Sequence, residues 1–497
     1  MSQHNADNIM ISPIHQRAAI APNTAAYRIA ELKVSYQTFS QQVLAIGEQL
    51  IQAGVQRGDR IACIGHNQPE LLTLYWACVD HGMLFCPISP RFAPKQLLEL
   101  IHTHQYGYCW LADSSSSSPT PALRAALSND ITQQLNLDFT QHSRASAPVP
   151  VPVPALNIDP NQGVNAILTS GSTGLPKAAV HSLANHIASA NGSKSLIDIT
   201  AKDSWLLSLP LFHIGGLAIA NRCALAGACV VFEDKKISLA IQLGRDKVSH
   251  LSLVSAQLQQ LLTSDNCDLS QVKAMLLGGG VISADLLQHL DTLNIAAFTS
   301  YGMTEMSSQI TTGKARADGS SGTVLPKRGL KIVDGEIWVK GECLFLGYLK
   351  KDSLKRNGQT HDGYSRPLNN DGWFYTKDLG HWDENANLCI DGRADNMFIS
   401  GGENIQPEEI EAALKLHPQI DDAIVFAIAD DKFGSLPAAI IKIASHSTGQ
   451  PSEAELSKFL VNKIARFKRP RQYYPWPDIS TVGIKVVRKE VVAAVLY

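Results

Sequence analysis

Apolar and polar positions change period several times along the chain, and each change marks an element. From Ser35, SYQTFSQQVLAIGEQLIQAG places apolar side chains at helical spacing and predicts an amphipathic helix. RIACIG, from Arg60, is a short apolar run that predicts a buried strand, and ELLTLYWACVDHG, from Glu70, returns to the helical period. The same alternation returns between 164 and 310, where VNAILTS, SWLLSLPL, ACVVF, HLSLVS, KAMLLGG and AAFTSYG read as strands separated by helix-like segments. Such alternation predicts α/β layering.

Two stretches interrupt this pattern. DSSSSSPTPA, residues 113–122, is low in complexity. APVPVPVPA, residues 147–155, should be a stiff, extended surface connector inside the large domain, because each proline fixes φ and disfavours helix at the residue before it. Residues 329–391 carry denser strand and turn signals (KIVDGEIWVKG, DGWFYTKD, LCIDG), which predicts a small β-rich subdomain. From Asp395, EEIEAALKLH, AIVFAIAD, AAIIKIA and AELSKFLVNKIAR alternate helix and strand, as a small α+β lobe would. The expected fold class is α/β and multi-domain. A large N-terminal domain over 1–394 contains layered α/β subdomains and the β-rich one, and the C-terminal lobe occupies 395–497.

Composition narrows the ligand class. The 497 residues are 45% apolar and 18% charged with a formal net charge of -2, so there is no global basic field for nucleic acid or anionic lipid, and small molecules are the expected ligands. Nine scattered cysteines, with no C-x-x-C pair and no zinc spacing, read as reduced thiols filling the core. The polar start MSQHNADNIM lacks the features of a signal peptide, so the expected location is the cytoplasm. The longest uncharged run, Ser204 to Asn221, contains Pro210, His213 and Gly215-Gly216. It is a poor membrane helix and reads as a buried strand followed by a loop.

The chemistry concentrates in TSGSTGLPK, Thr169 to Lys177. Hydroxyls and glycines directly after a strand present donors to a phosphate chain, and a lysine supplies countercharge. Walker A would end in Gly-Lys-Ser/Thr, whereas here Leu175 and Pro176 precede Lys177. Arg222 lies among apolar residues in IANRCALAGACVVF, where burial is costly unless the guanidinium meets an anion, either a ligand or an internal carboxylate.

With TSGSTGLPKAAVHS, LPLFHIGG, SYGMTE, DGWFYTKDLG, GRADNMFISGGENIQPEEIE and GIKVVRKEV in this order, the chain resembles the adenylate-forming superfamily of acyl-CoA synthetases, luciferases and peptide-synthetase adenylation domains over nearly its whole length. The resemblance implies activation of a carboxylate with ATP and Mg²⁺, then transfer to the thiol of CoA. It implies an ATP site of Thr169, Ser170, Gly171, Ser172, Thr173, Gly174, Lys177, Gly279, Gly280, Ser300, Tyr301, Gly302 and Thr304, with Asp378 and Arg393 on the ribose. Glu305 and Thr169 would hold the metal, and Lys485 would bridge the carboxylate and the α-phosphate. His213, Arg222, Gly280 and Ser307 would line the acyl pocket, with His213 orienting the carboxylate. Asp395 would be a hinge that rotates the C-terminal lobe, bringing Gly401, Gly402 and Glu403 in for the thioester step. One departure is visible: Thr376-Lys377-Asp378 stands where the superfamily commonly has Thr-Gly-Asp, with the aspartate kept and ribose binding expected to be normal.

Within the superfamily, AAVHS, WLLSLPLFH, SGGENIQPEEIE, IARFKRP and the short GIK ending are most similar to the o-succinylbenzoate–CoA ligases of menaquinone biosynthesis. Their dianionic substrate would give Arg222 an anion to meet. Alternatives are another aryl or medium-chain acyl-CoA ligase, an adenylation domain loading a carrier protein, and a non-catalytic nucleotide-binding module. The basic cluster Arg466 to Arg471 reads as a solvated face rather than a CoA contact, and the sequence leaves homo-oligomerisation open.

Overall fold

The computed structural model describes residues 9–112, 125, 132–140, 156–169, 176–264, 267–278, 282, 284–350, 363–400, 403–430, 433–445, 447, 449–461, 463–464, 466–478 and 488–496. Both low-complexity stretches lie outside these residues. Two compact units emerge: one from Met1–Ala317, Ser321–Gly329 and Lys340–Gly372, the other from Asp318–Ser320, Leu330–Val339 and Trp373–Tyr497.

The first unit holds two large sheets. One has eight strands in the order Tyr364–Ser365, Gly347–Leu349, Lys177–Ser182, Gly163–Thr169, Leu84–Ile88, Arg60–Ile64, Tyr108–Leu111 and Gln133–Leu135. From Gly163–Thr169 to Gln133–Leu135 it is parallel, and from Gly163–Thr169 to the opposite edge at Tyr364–Ser365 it is antiparallel. The other has nine strands, with Ala274–Gly278 parallel to Ala296–Met303, which then turns back into Ser308–Lys314. Fully buried strands such as Leu84–Ile88 have continuous apolar sequence, as parallel strands covered on both faces require.

The helices that cover the sheets begin and end where the local chemistry dictates. Helix Tyr36–Gln52 starts at Ser35, whose hydroxyl accepts from the Thr38 amide, and buries Phe39, Val43, Ile46 and Leu50 on one face. Helix Pro69–His81 opens on proline and stops at Gly82, at φ 66. Together they supply Val43, Leu71, Tyr75 and Trp76 to the largest apolar cluster. The uncharged run from Ser204 folds differently from its sequence reading. After strand Ser204–Leu206 the loop ends at His213, and Ile214–Ala226 is a helix. Gly216 permits this start, since a Cβ there would stand 2.1 Å from the Pro210 carbonyl oxygen.

The second unit contains the four-stranded sheet Arg328–Val333, Glu336–Gly341, Phe374–Trp382 and Leu388–Arg393, though its first strand starts and its second ends in residues of the first unit. It also contains a hairpin, Phe398–Ser400 with Glu403–Ile405, and a three-stranded sheet whose long hairpin pairs Ile420–Asp430 with Gly434–Ile443. The division falls at 372/373, ahead of 394/395, because strand Leu388–Arg393 packs on helix Pro407–Lys415: Gln406 Nε2 donates to the Arg393 carbonyl at 3.1 Å, and a Cβ on Gly392 would strike Gln406 and Glu408. All nine cysteines are free thiols, six of them buried. No helix among the described residues is long and apolar enough to cross a membrane.

Candidate active site

Strands Gly163–Thr169 and Lys177–Ser182 form an antiparallel hairpin in which Thr169 and Lys177 are Cα partners. Strand pairing therefore joins the two ends of the glycine- and hydroxyl-rich loop, whose members Ser170, Gly171, Ser172, Thr173 and Gly174 lie outside the described residues. Lys177 is exposed, and its ammonium stands 4.9 Å from the centre of the Tyr348 ring. Tyr348 lies on the next strand, and its hydroxyl donates to Glu305 Oε1 at 2.6 Å. Thr169, Lys177, Tyr348 and Glu305 thus form one linked group, in which Tyr348 is the member that motif reading missed.

Glu305 sits in the turn Thr304–Met306 between strands Ala296–Met303 and Ser308–Lys314, and it is buried. Upstream come Ser300, half-buried, and Tyr301, buried. Gly302 is required by close approach, since a Cβ would fall 2.0 Å from the Ser308 carbonyl oxygen. The turn closes with Ser307 at φ 52. Its hydroxyl donates to the Cys343 carbonyl at 2.9 Å, so Ser307 fastens the turn. Gly279 and Gly280 lie outside the described residues.

A directed chain of neutral hydrogen bonds crosses from the phosphate-loop strands to this turn. His186 Nε2 meets Asn165 Oδ1 at 2.6 Å, Asn165 Nδ2 meets His181 Nδ1 at 3.2 Å, and His181 Nε2 meets the Thr304 carbonyl at 2.7 Å. The carbonyl can only accept, so His181 carries its proton on Nε2 and accepts through Nδ1. Burial pushes His181 down to about 4, opposed by the bond to Thr304, and drives His186 well below its usual value. AAVHS contained the signal for His181, but a histidine inside an apolar strand carries no sign of what it faces.

The loop before His213 is held by a residue far away in sequence. Asn67 donates to the carbonyls of Leu207 and Leu209 and accepts from the Leu211 amide at 2.8 Å, fixing the loop that leads to His213. His213 is the N-cap of helix Ile214–Ala226 and contacts the Phe212 ring at 4.9 Å. Arg222, on the same helix, is buried with 3% exposure. It donates to Gln309 Oε1 at 2.5 Å and lies 5.3 Å over the Trp205 ring, while its Nε is buried without a partner. Burial and the nearby Arg328 charge lower it to about 10. No carboxylate pairs with Arg222 among the described residues.

The second unit carries its own cluster. Asp378 and Arg393 are cross-strand partners, with Arg393 Nη1 3.0 Å from Asp378 Oδ1. The same guanidinium grips both oxygens of Asp395, at 2.9 and 3.1 Å, which holds that carboxyl below its usual value. The residues expected at the ribose and at the hinge therefore share one arginine. Lys377 adopts φ 63, the left-handed region where the superfamily keeps glycine. Gly401, Gly402 and Lys485 lie outside the described residues, and Glu403 is placed only as part of strand Glu403–Ile405. Three residues after Lys485, Arg488 anchors the last helix, at 2.6 Å from Glu411 Oε1. In the basic cluster, Arg466 and Arg471 are exposed, but Lys468 pairs with Glu409 at 2.6 Å and Arg469 donates to Val461, so it is only partly a solvated face.

Comparison with known proteins matches residues 14–349 to the family described as AMP-binding enzyme and 409–481 to the AMP-binding enzyme C-terminal domain. A 2–succinylbenzoate–CoA ligase of Salmonella typhimurium is 34% identical over 467 residues, 93% of each chain. Among solved structures, o-succinylbenzoate CoA synthetase from Bacillus subtilis with the acyl-adenylate intermediate OSB-AMP superposes with TM-score 0.82 at 26% identity, covering 97% of this chain and 98% of that one. The same synthetase with ATP and magnesium ion gives TM-score 0.81 at 26% identity, over 97% and 100%.

Proposed function

The chain belongs to the AMP-binding enzyme family, and from that premise we propose that it is an AMP-forming acid–thiol ligase that converts 2-succinylbenzoate to its CoA thioester, in menaquinone biosynthesis. The aliphatic carboxylate of the acid attacks the α-phosphorus of ATP and expels pyrophosphate. The thiol of CoA then attacks the acyl carbonyl and AMP leaves. Both steps depend on positioning and on neutralising charge.

Lys177 supplies countercharge to the polyphosphate, and Ser170, Gly171, Ser172, Thr173 and Gly174 would offer it hydrogen-bond donors. Ser300, Tyr301, Gly302 and Thr304, with Gly279 and Gly280, receive the adenine, and Asp378 with Arg393 the ribose. A buried carboxylate, Glu305, beside the Tyr348 hydroxyl fits a hard, oxygen-seeking cation that keeps most of its waters. Glu305 and Thr169 would hold it, and Mg²⁺ bound there would neutralise phosphate charge. His213 orients the reacting carboxylate, Lys485 meets it and the α-phosphate, and Gly401 to Glu403 serve the thioester step with Asp395 as pivot.

The observation that carries the substrate is Arg222, a buried guanidinium without a carboxylate partner among the described residues, which suits the second, unreacting carboxylate of the acid. The test is pyrophosphate release with ATP, Mg²⁺ and CoA over 2-succinylbenzoate, benzoate, 4-phenylbutyrate, octanoate and several amino acids. Selection of 2-succinylbenzoate with a CoA thioester product is expected; preference for a monocarboxylate would overturn the substrate and keep the reaction class.

A further inference from the structure

Arg222 and Arg328 converge on one residue, Gln309. Arg222 Nη2 donates to its side-chain oxygen at 2.5 Å, and Arg328 Nε donates to its backbone carbonyl at 2.7 Å. The other acceptors around Arg328 are the carbonyls of Pro326 and Ser189 and the Ser189 hydroxyl. Every one of these acceptors is neutral, and neither arginine has an ion pair among the described residues. A buried cation in such surroundings is unfavourable until an anion arrives.

The orientation of the Gln309 amide is fixed. Thr312 Oγ1 donates its single proton to the Thr311 carbonyl at 2.7 Å, so toward Gln309 it can only accept. Gln309 Nε2 donates to it at 2.7 Å, which turns the amide oxygen to Arg222. Gln309 is also the Cα partner of Gly302, so the hairpin that carries Glu305 sets the acceptor against the arginine. A glutamate of nearly the same shape in this place would neutralise Arg222 from within.

We propose that Gln309 is a specificity-determining residue: it orients Arg222 with a neutral oxygen where a carboxylate would fit, and so keeps the guanidinium's charge for a second carboxylate on the acyl substrate. The proposal rests on the reading of the acid as 2-succinylbenzoate. Gln309 acts through Arg222 and selects between acids that differ only in the distal carboxylate.

The experiment measures kcat and KM for pyrophosphate release by wild type, Gln309→Glu and Gln309→Met. The two acids are 2-succinylbenzoate and 4-oxo-4-phenylbutanoate, the same acid without its ring carboxylate. In Gln309→Glu, kcat/KM for 2-succinylbenzoate should fall about 100-fold, mainly through KM, with a far smaller change for the monocarboxylate. Gln309→Met, which adds no charge but removes the orienting oxygen, should weaken the preference for the diacid by much less than Gln309→Glu does. Equal loss on both acids in Gln309→Glu, no loss on either, or loss of preference in Gln309→Met as complete as in Gln309→Glu would each overturn the proposal while leaving the substrate reading intact. Wild type that turns over neither acid would overturn the reading, and the proposal with it.

Discussion

Lys377 holds φ 63, a conformation that costs a residue with a Cβ roughly 1–2 kcal/mol and glycine almost nothing. Its amide bonds Glu336 Oε1 at 3.0 Å and its carbonyl accepts from the Ala394 amide at 2.8 Å, so the neighbours impose the geometry. Lys377→Gly should therefore raise stability by about 0.5–1 kcal/mol after the greater unfolded-state entropy of glycine is subtracted, as read in urea unfolding. His181 gives a pH prediction of definite sign. Its native value is about 4 and the unfolded value about 6.5, so between the two only the unfolded chain binds the proton and stability falls as pH falls. The loss by pH 4 should be on the order of 3 kcal/mol. In His181→Gln the proton uptake on unfolding at pH 5 should drop by about one, measured from the pH dependence of the unfolding midpoint. Neither effect was legible from residue type alone. The Thr-Lys-Asp departure stands in the sequence, but its cost depends on φ, and the lowering of His181 depends on what buries it.

At the scale of elements, the places of the motifs were legible because they occupy ends of elements. Thr169 closes one strand and Lys177 opens the next, and Thr304 and Glu305 fill the turn of a hairpin. What the motifs could not show was which element lies beside which. Tyr348 and Gln309 enter the site through strand register, and Asn67 through a loop contact, none of which a local pattern encodes. The helix at Ile214–Ala226 was missed because Gly215-Gly216 carries a loop signal, whereas the structure uses Gly216 to bring the first turn against Pro210. Gly216→Ala would place a Cβ 2.1 Å from a backbone oxygen that cannot swing away. It should cost about 1–3 kcal/mol of stability and lower kcat/KM by moving His213, as urea titration and pyrophosphate release would show.

At the scale of the molecule, alternation of helix and strand conveyed the α/β class, and the change to strand and turn signals at 329 marked the small antiparallel sheet. Its allegiance was not legible, because it is decided by Gln406 and Glu408 packing under Gly392 rather than by the sheet's own sequence. The nine free thiols acquire a meaning from the proposed chemistry. An acyl-adenylate is open to attack by any thiolate, and CoA delivers one to it by design. Burial pushes Cys86 up to about 12 and Cys229 up to about 11, and it raises Cys63, Cys78, Cys223, Cys267 and Cys343 as well. Intact-mass spectrometry after prolonged turnover without CoA should accordingly find those seven cysteines unacylated. A protein that manufactures a potent acylating agent thus holds most of its own sulfurs as poor nucleophiles, leaving the incoming thiol the better one to react.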